Sequence, residues 1–194
     1  SWKLTLMVGS DNRLYQLGCG KASETISVPA KLPSLEKEFL PAYGNGYIAE
    51  PAVQVVHTDG NTSLDLVYEN HSVEQLVSGI TLTKITLKDS HYPFFVDIFF
   101  KSYAQQDVME LWTYYRHKEL SGDVILYRYA SAAPLIQAQS YWLTQFNGRY
   151  KHEATIEEEK LARGVKSIGT NLGVRSNYYV TPSVLLSCNG PAQE

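Results

Sequence analysis

Phe94-Phe95-Val96-Asp97-Ile98-Phe99-Phe100-Lys101-Ser102-Tyr103 is the stretch that decides the fold. In an extended strand successive side chains point to opposite faces, so Val96, Ile98 and Phe100 share one face while Phe95, Asp97, Phe99 and Lys101 share the other. The first face is wholly apolar and requires a core. The second mixes rings with charge, which predicts an outer side that is partly covered. On either side of this run, Ile80 to Leu87, Val108 to Arg116 and Asp123 to Ala130 carry the β-branched and aromatic residues that fit a pleated, half-buried surface. The four segments follow one another at intervals typical of an antiparallel meander.

Turn chemistry extends the pattern. Asp59-Gly60 lies between Ala52 to His57 and Thr62 to Tyr68, and Asn147-Gly148 lies between Tyr141 to Phe146 and Arg149 to Glu153. Both dipeptides tolerate positive φ and predict hairpins. Pro29, Pro33 and Pro41 mark a loop-rich connection leading to Gly44. Glu153 to Arg163 is rich in helix formers and ends at Gly164 as a helix would. Its apolar residues Ala154, Ile156, Leu161 and Ala162 give a poor stripe at a period of 3.6, so an exposed strand pair or irregular edge is expected instead. Many short strands without a helical pattern between them predict an all-β chain, a large antiparallel two-sheet β-sandwich, and no shift in composition divides residues 1–194.

Composition limits what such a sandwich can do. Hydrophobic residues make up 44% of the 194 and charged residues 19%, the balance of a folded soluble body. The net charge is −3 and the 17 basic residues are dispersed, so there is no phosphate-neutralising stripe and nucleic acid is not an expected partner. The apolar run Pro93 to Phe100 is interrupted by Asp97 and is too short to span a bilayer as a helix, so no membrane partner is expected. Ser1-Trp2-Lys3 runs straight into a strand-like segment without a signal-peptide pattern, and the compartment, cytoplasmic or periplasmic and secreted, is left open. Cys19 and Cys188 are too few for a disulfide-dense scaffold or a four-thiolate metal site. A single bridge between the two and a pair of buried free thiols both fit.

Three segments in order carry a family resemblance: Phe39-Leu40-Pro41-Ala42-Tyr43-Gly44-Asn45-Gly46-Tyr47-Ile48-Ala49-Glu50-Pro51-Ala52, Tyr127-Arg128-Tyr129-Ala130-Ser131-Ala132, and Tyr141-Trp142-Leu143-Thr144-Gln145-Phe146-Asn147-Gly148. With Leu161 to Gly164, Ser167-Ile168-Gly169 and Gly173 to Pro182, they make a chain that resembles the N-terminal domain of glycoside hydrolase family 36 α-galactosidases. The resemblance implies a β-supersandwich over 1–194, lacking its last strand and packed on a catalytic (β/α)₈ barrel of the same full-length chain. It also implies a homo-oligomeric parent that hydrolyses terminal α-1,6-galactosides, such as melibiose or raffinose, with retention and without a cofactor. Retention needs a nucleophilic carboxylate and an acid/base carboxylate about 5 Å apart. In the family both are Asp residues of the barrel, one after Lys-Trp and one in a Gly-rich stretch. Neither motif occurs here, so no catalytic residue is expected in this chain.

The family's glycine loop commonly reads Gly-x-Gly-Asp-aromatic-Arg-x-Pro and in oligomers approaches a neighbouring sugar pocket. Tyr47, Ile48 and Ala49 stand here in place of the Asp, the aromatic residue and the Arg, so the loop's ionic chemistry does not carry over. Gly44, Asn45, Gly46, Tyr47 and Glu50 are the candidate substrate-binding residues, with Tyr47 to stack on or hydrogen-bond a sugar and Glu50 to accept its hydroxyls.

An independent active site is not visible in the residues. His57, His71, His91, His117 and His152 lack metal-ligand spacing, and no metal is expected. The glycines near Gly44 and Gly169 fit turns and lack the following helix of a phosphate cradle. Trp112 and Trp142 are expected as core or interdomain packing residues in preference to sugar-stacking ones, and Trp2 is expected to fasten the first strand. Asp107 with Glu110, and Glu157 with Glu158, have no apolar setting to raise one carboxyl, and fit solvated edges. Asn61-Thr62-Ser63 and Asn70-His71-Ser72 match the glycosylation sequon. The alternatives to an accessory domain are a free-standing carbohydrate-binding module with exposed aromatics, and an aldose-epimerase-like enzyme with converging His and carboxylate.

Overall fold

The computed structural model describes residues 2–136, 139–169, 179–188 and 190–192. Of the stretch Gly173 to Pro182 quoted above, residues 173–178 lie outside the described residues. The chain divides into two compact units, Ser1–Ile136 and Gln137–Glu194. Among the described residues the only helical element is a 3₁₀ turn at Leu35–Lys37, and no helix is long and apolar enough to cross a membrane. The all-β expectation holds, with the strands gathered into four antiparallel sheets.

The first unit opens with β1 (Trp2–Val8) paired to β2 (Leu14–Lys21). The proline-rich stretch that follows is loop apart from the 3₁₀ turn. β4 (Leu66–Val77), β5 (Ile80–Asp89), β6 (Phe94–Tyr103) and β7 (Val108–His117) then run as a meander in spatial order. The fourth expected meander strand departs: β8 (Ile125–Arg128) leaves β7 and pairs with β3 (Gln54–Val56).

That departure builds the second layer. Ile85, Leu87, Val96, Ile98 and Phe100 from the meander meet Leu14, Phe39, Leu40, Val53, Val55 and Leu64 from the opposite side in one buried cluster. Val96 and Ile98 are fully buried, and Phe100 tilts against Phe39 with ring centroids 5.5 Å apart. The outer face of β6 is partly covered, as its mixed pattern requires. Phe99 stacks on its cross-strand partner Trp112 at 5.1 Å with Lys84 over its ring, and Asp97 is buried beneath Arg116 (2.9 Å), Lys84 (3.3 Å) and Thr86 (2.7 Å). Asp97 is held below the usual carboxylate range: burial pulls it upward, but the hydrogen bonds from Arg116 and Thr86 and the nearby positive charges outweigh that.

Asp59-Gly60 does turn the chain, with Gly60 at φ 85° and its N–H on His57 O, but the flanking strands do not form a hairpin. β3 pairs with β8 and β4 with β5 instead, and Val55 and Leu66 on these strands are both buried in the core. Trp2 is likewise 57% exposed; its backbone N–H, donating to Asp107 Oδ1 at 2.9 Å, fastens the strand instead of its ring. Both cysteines are free, and neither is buried: Cys19 is half-buried and Cys188 exposed.

The second unit is a three-stranded sheet with β9 (Tyr141–Arg149) between β10 (His152–Lys160) and β11 (Val180–Cys188). The Glu-rich segment is thus an edge strand. The expected hairpin forms, but its turn falls at Tyr150-Lys151, with Lys151 at φ 64°, and Asn147-Gly148 stays inside β9. Asn147 is paired on both sides, to Thr155 and Val180, and Gly148 N–H donates to Tyr179 O at 2.7 Å, so the strand is extended past the dipeptide.

Candidate functional site

The polar chemistry of the first unit gathers around a buried acid. Glu38 is 3% exposed, and burial pushes its carboxyl up to about 7 against the lowering pull of Arg13 and Asn45. Arg13 Nη1 lies 3.5 Å from Glu38 Oε1, and Nη2 bonds Asp65. Asn45 Nδ2 donates to Glu38 Oε2 at 2.9 Å, while Asn45 Oδ1 accepts the Tyr47 N–H at 3.0 Å. Glu38 therefore ties the glycine loop to the core from below. Too deep to meet a substrate, its carboxyl holds shape rather than carrying acid/base chemistry at the surface.

Beside this acid opens a cleft of about 460 Å³ walled by Arg13, Gly44, Asn45, Ser63, Asp65 and His91 together with Asn61 and Tyr92. Gly44 is at φ 95°, and a Cβ there would stand 2.6 Å from Ser63 Cα, so only glycine lets the two segments approach this closely. The remaining wall is the turn between β5 and β6. Asp89 Oδ1 accepts the N–H groups of both His91 and Tyr92 at 2.7 Å, and its Oδ2 accepts that of Asp65. Tyr92 stacks on buried His57 with centroids 3.7 Å apart, and its hydroxyl donates to Asp59 and accepts from Asn61. His57 Nδ1 pairs with Glu119 Oε1 at 2.8 Å. Burial works to raise Glu119, but the hydrogen bonds from His57 and Thr58 hold it below the usual range.

Of the five loop residues singled out from the sequence, Gly44 and Asn45 line this cleft. Gly46 follows at φ 94°, and Tyr47 is half-buried, its hydroxyl raised by burial and by the charges of Glu36 and Glu38. Glu50 is exposed and ion-paired with Arg128 of β8, away from the cleft walls. Arg13, Asp65, His91 and Tyr92 share no motif in the sequence, being scattered over about eighty positions. Only Asp89-Ser90-His91-Tyr92-Pro93, a polar turn between two apolar strands, carried a local signal.

No group of three or more His, Cys, Asp or Glu placed to hold a metal occurs among the described residues. A second cavity of the first unit, about 510 Å³, is mostly apolar, with Trp2, Leu4, Cys19, Met109 and Leu111 on its walls, and offers little polar chemistry. In the second unit Glu158 accepts from Thr144 at 2.7 Å and Glu157 from Gln145 at 2.8 Å.

The fold recurs in solved α-galactosidases. AgaB from Geobacillus stearothermophilus superposes with a TM-score of 0.81 at 21% identity over 96% of this chain and 30% of that one. The galactosidase domain of the α-galactosidase-sucrose kinase AgaSK gives 0.81 at 16% identity over 97% and 31%, and the Lactobacillus brevis α-galactosidase 0.80 at 18% over 96% and 29%. The chain thus spans about three tenths of the length of these enzymes. No curated protein matches it. The model of the glycosyl hydrolase family 36 N-terminal domain matches residues 14–194, and the chain belongs to that family.

Proposed function

We propose that this chain is the non-catalytic N-terminal domain of a retaining α-galactosidase acting on terminal α-1,6-galactosides of the melibiose and raffinose type. The match of the family's N-terminal domain across residues 14–194 carries this assignment. The chain's partners are then a catalytic (β/α)₈ barrel of the same protein, a second copy in a homo-oligomer, and an α-galactoside at the barrel. One of the similar structures, AgaA A355E D548N, is described as a complex with raffinose, which fits that substrate class.

The domain's own part is to support the barrel and oligomer contacts and to bring the loop from Gly44 through Asn45, Gly46 and Tyr47 to Glu50 to the rim of a sugar pocket. The glycine at 44 and the Asn45 to Glu38 tether favour this, because a loop fixed from below can present groups in a set geometry. The test compares the 194-residue chain with the chain extended through the coding region downstream of it, on melibiose and an aryl α-galactoside. The extended protein should hydrolyse both and release α-galactose first, whereas the shorter one should do neither. Hydrolysis by the shorter chain, or an extended protein inert towards α-galactosides, would overturn the assignment.

A further inference from the structure

We propose that the cleft bounded by Arg13, Asn45, Ser63, Asp65, His91 and Tyr92 is a binding site for a neutral pyranose, working in this chain without any barrel. This goes beyond the assignment above, which gives the domain no ligand of its own.

Charge selects the ligand class first. Arg13 is the cation of the cleft, and it is bonded to Asp65 and lies 3.8 Å from Asp11, so an anionic ligand would meet these carboxylates beside the guanidinium. A bare metal cation lacks a ligand set among the described residues. What is left is a mixed wall: carboxylate and amide oxygens that accept, with guanidinium, amide and hydroxyl groups that donate. Such a wall fits hydroxyls, each of which both donates and accepts. Ser63 Oγ has no partner among the described residues, and His91, tied through Nδ1 to Ser90 Oγ at 2.8 Å, keeps its second ring nitrogen for a ligand.

Shape and rigidity agree with this. A volume of about 460 Å³ is in the range of small-molecule sites, ~300–1,000 Å³. Tyr92 covers His57 with one face of its ring and is pinned at its hydroxyl by Asp59 (2.8 Å) and Asn61 (2.9 Å), which makes it a fixed aromatic wall for the C–H face of a sugar. Asp65 is held by Arg13 and by Ser90 Oγ (2.8 Å), and Asn45 by Glu38 (2.9 Å), so the polar groups are ordered before any ligand arrives. The aromatic face of the meander is a poorer candidate: Phe99 and Trp112 lie parallel at 5.1 Å, so their facing surfaces are spent on each other.

The test is a two-dimensional amide NMR titration of the 194-residue chain with galactose, melibiose, glucose and inorganic phosphate in turn. Binding should be weak, with Kd about 1 mM or above, and saturable, and should shift the amides of Gly44, Asn45, Ser63 and His91. His91→Ala and Ser63→Ala, both at exposed positions, should leave the spectrum folded and weaken sugar binding about tenfold and about threefold. No saturable shift with any sugar, shifts confined to the Phe99 and Trp112 face, or a response to phosphate alone would each overturn the proposal. Hydrolysis is not read, so the outcome is separate from that of the extended-chain assay.

Discussion

The two units are made of the same kind of strand, yet among the described residues only the first closes over a core. Every residue of the buried hydrophobic cluster belongs to Ser1–Ile136, where the meander has a second layer to pack against. In Gln137–Glu194 the central strand buries Leu143 and Thr144, but Val184, Leu185 and Leu186 of β11 remain 44%, 51% and 42% exposed. Alternation along a strand becomes stability only when another layer covers the apolar side. The first unit should therefore hold its own structure, and the second should gain little from its own apolar side chains.

The largest contrast is expected in matched truncations. Phe39→Ala removes a fully buried ring in contact with Phe100 and should cost about 3–5 kcal/mol. Leu186→Ala should cost about 0.5 kcal/mol or less, since the side chain already meets solvent. Urea denaturation of both variants gives the comparison directly. A loss from Leu186→Ala near that of Phe39→Ala would break it.

Next in size is Asp97. Asp97→Asn weakens contacts to Arg116, Lys84 and Thr86 at a position 5% exposed and should cost roughly 2–3 kcal/mol at neutral pH. Because the folded carboxyl lies below its unfolded value, its stabilisation is present above pH ~4 and disappears as pH falls through the folded value. The variant should lose less stability on acidification than the parent. Equal acid sensitivity would assign the acid transition to other carboxylates.

Glu38 has the opposite sign. Its folded carboxyl, at about 7, lies above the unfolded one, so the folded state holds an extra proton between about pH 4.3 and 7. The parent should become less stable by about 3–4 kcal/mol as pH rises across that window and level off above it. Glu38→Gln, which keeps an oxygen for Asn45, should flatten the slope. A slope unchanged in the variant would show that Glu38 titrates as an ordinary carboxylate.

The inner face of β6 was legible because Val96, Ile98 and Phe100 obey a period that depends on nothing beyond the strand. The edge character of β10 was legible for the same reason, as too few apolar residues recur at helical spacing. Strand partners were not. Asp59-Gly60 encodes a turn but cannot encode that β3 leaves for β8, some seventy residues later, because that choice is made by what Val55 can bury against. The turn at Tyr150-Lys151 displaced the better turn former Asn147-Gly148 because two neighbouring strands, not one, bind the central strand. In the cleft, Gly44 and Asn45 carried a local signature, whereas Arg13, Asp65 and His91 act only through approach in space. Glu50 looked available in the sequence because its partner Arg128 lies on a different strand.

The smallest effect belongs to the second unit and completes the contrast with Asp97. Lys166 and Glu159 form an ion pair at 2.5 Å, but their side chains are 43% and 46% exposed, so water screens both charges and holding two long side chains costs entropy. Glu159→Gln should change stability by about 0.5 kcal/mol or less, and added salt should erase even that. The charge has a different use. Among the described residues β10 lies at the edge of its sheet, and Glu157, Glu158, Glu159 and Lys160 in sequence discourage another strand from adding to it. Neutralising Glu157 and Glu159 together should leave the unfolding midpoint in place while raising light scattering at high protein concentration. A destabilisation as large as that of Asp97→Asn would mean that this pair is sheltered from water after all, and the open unit would then be less open than its exposed strands indicate.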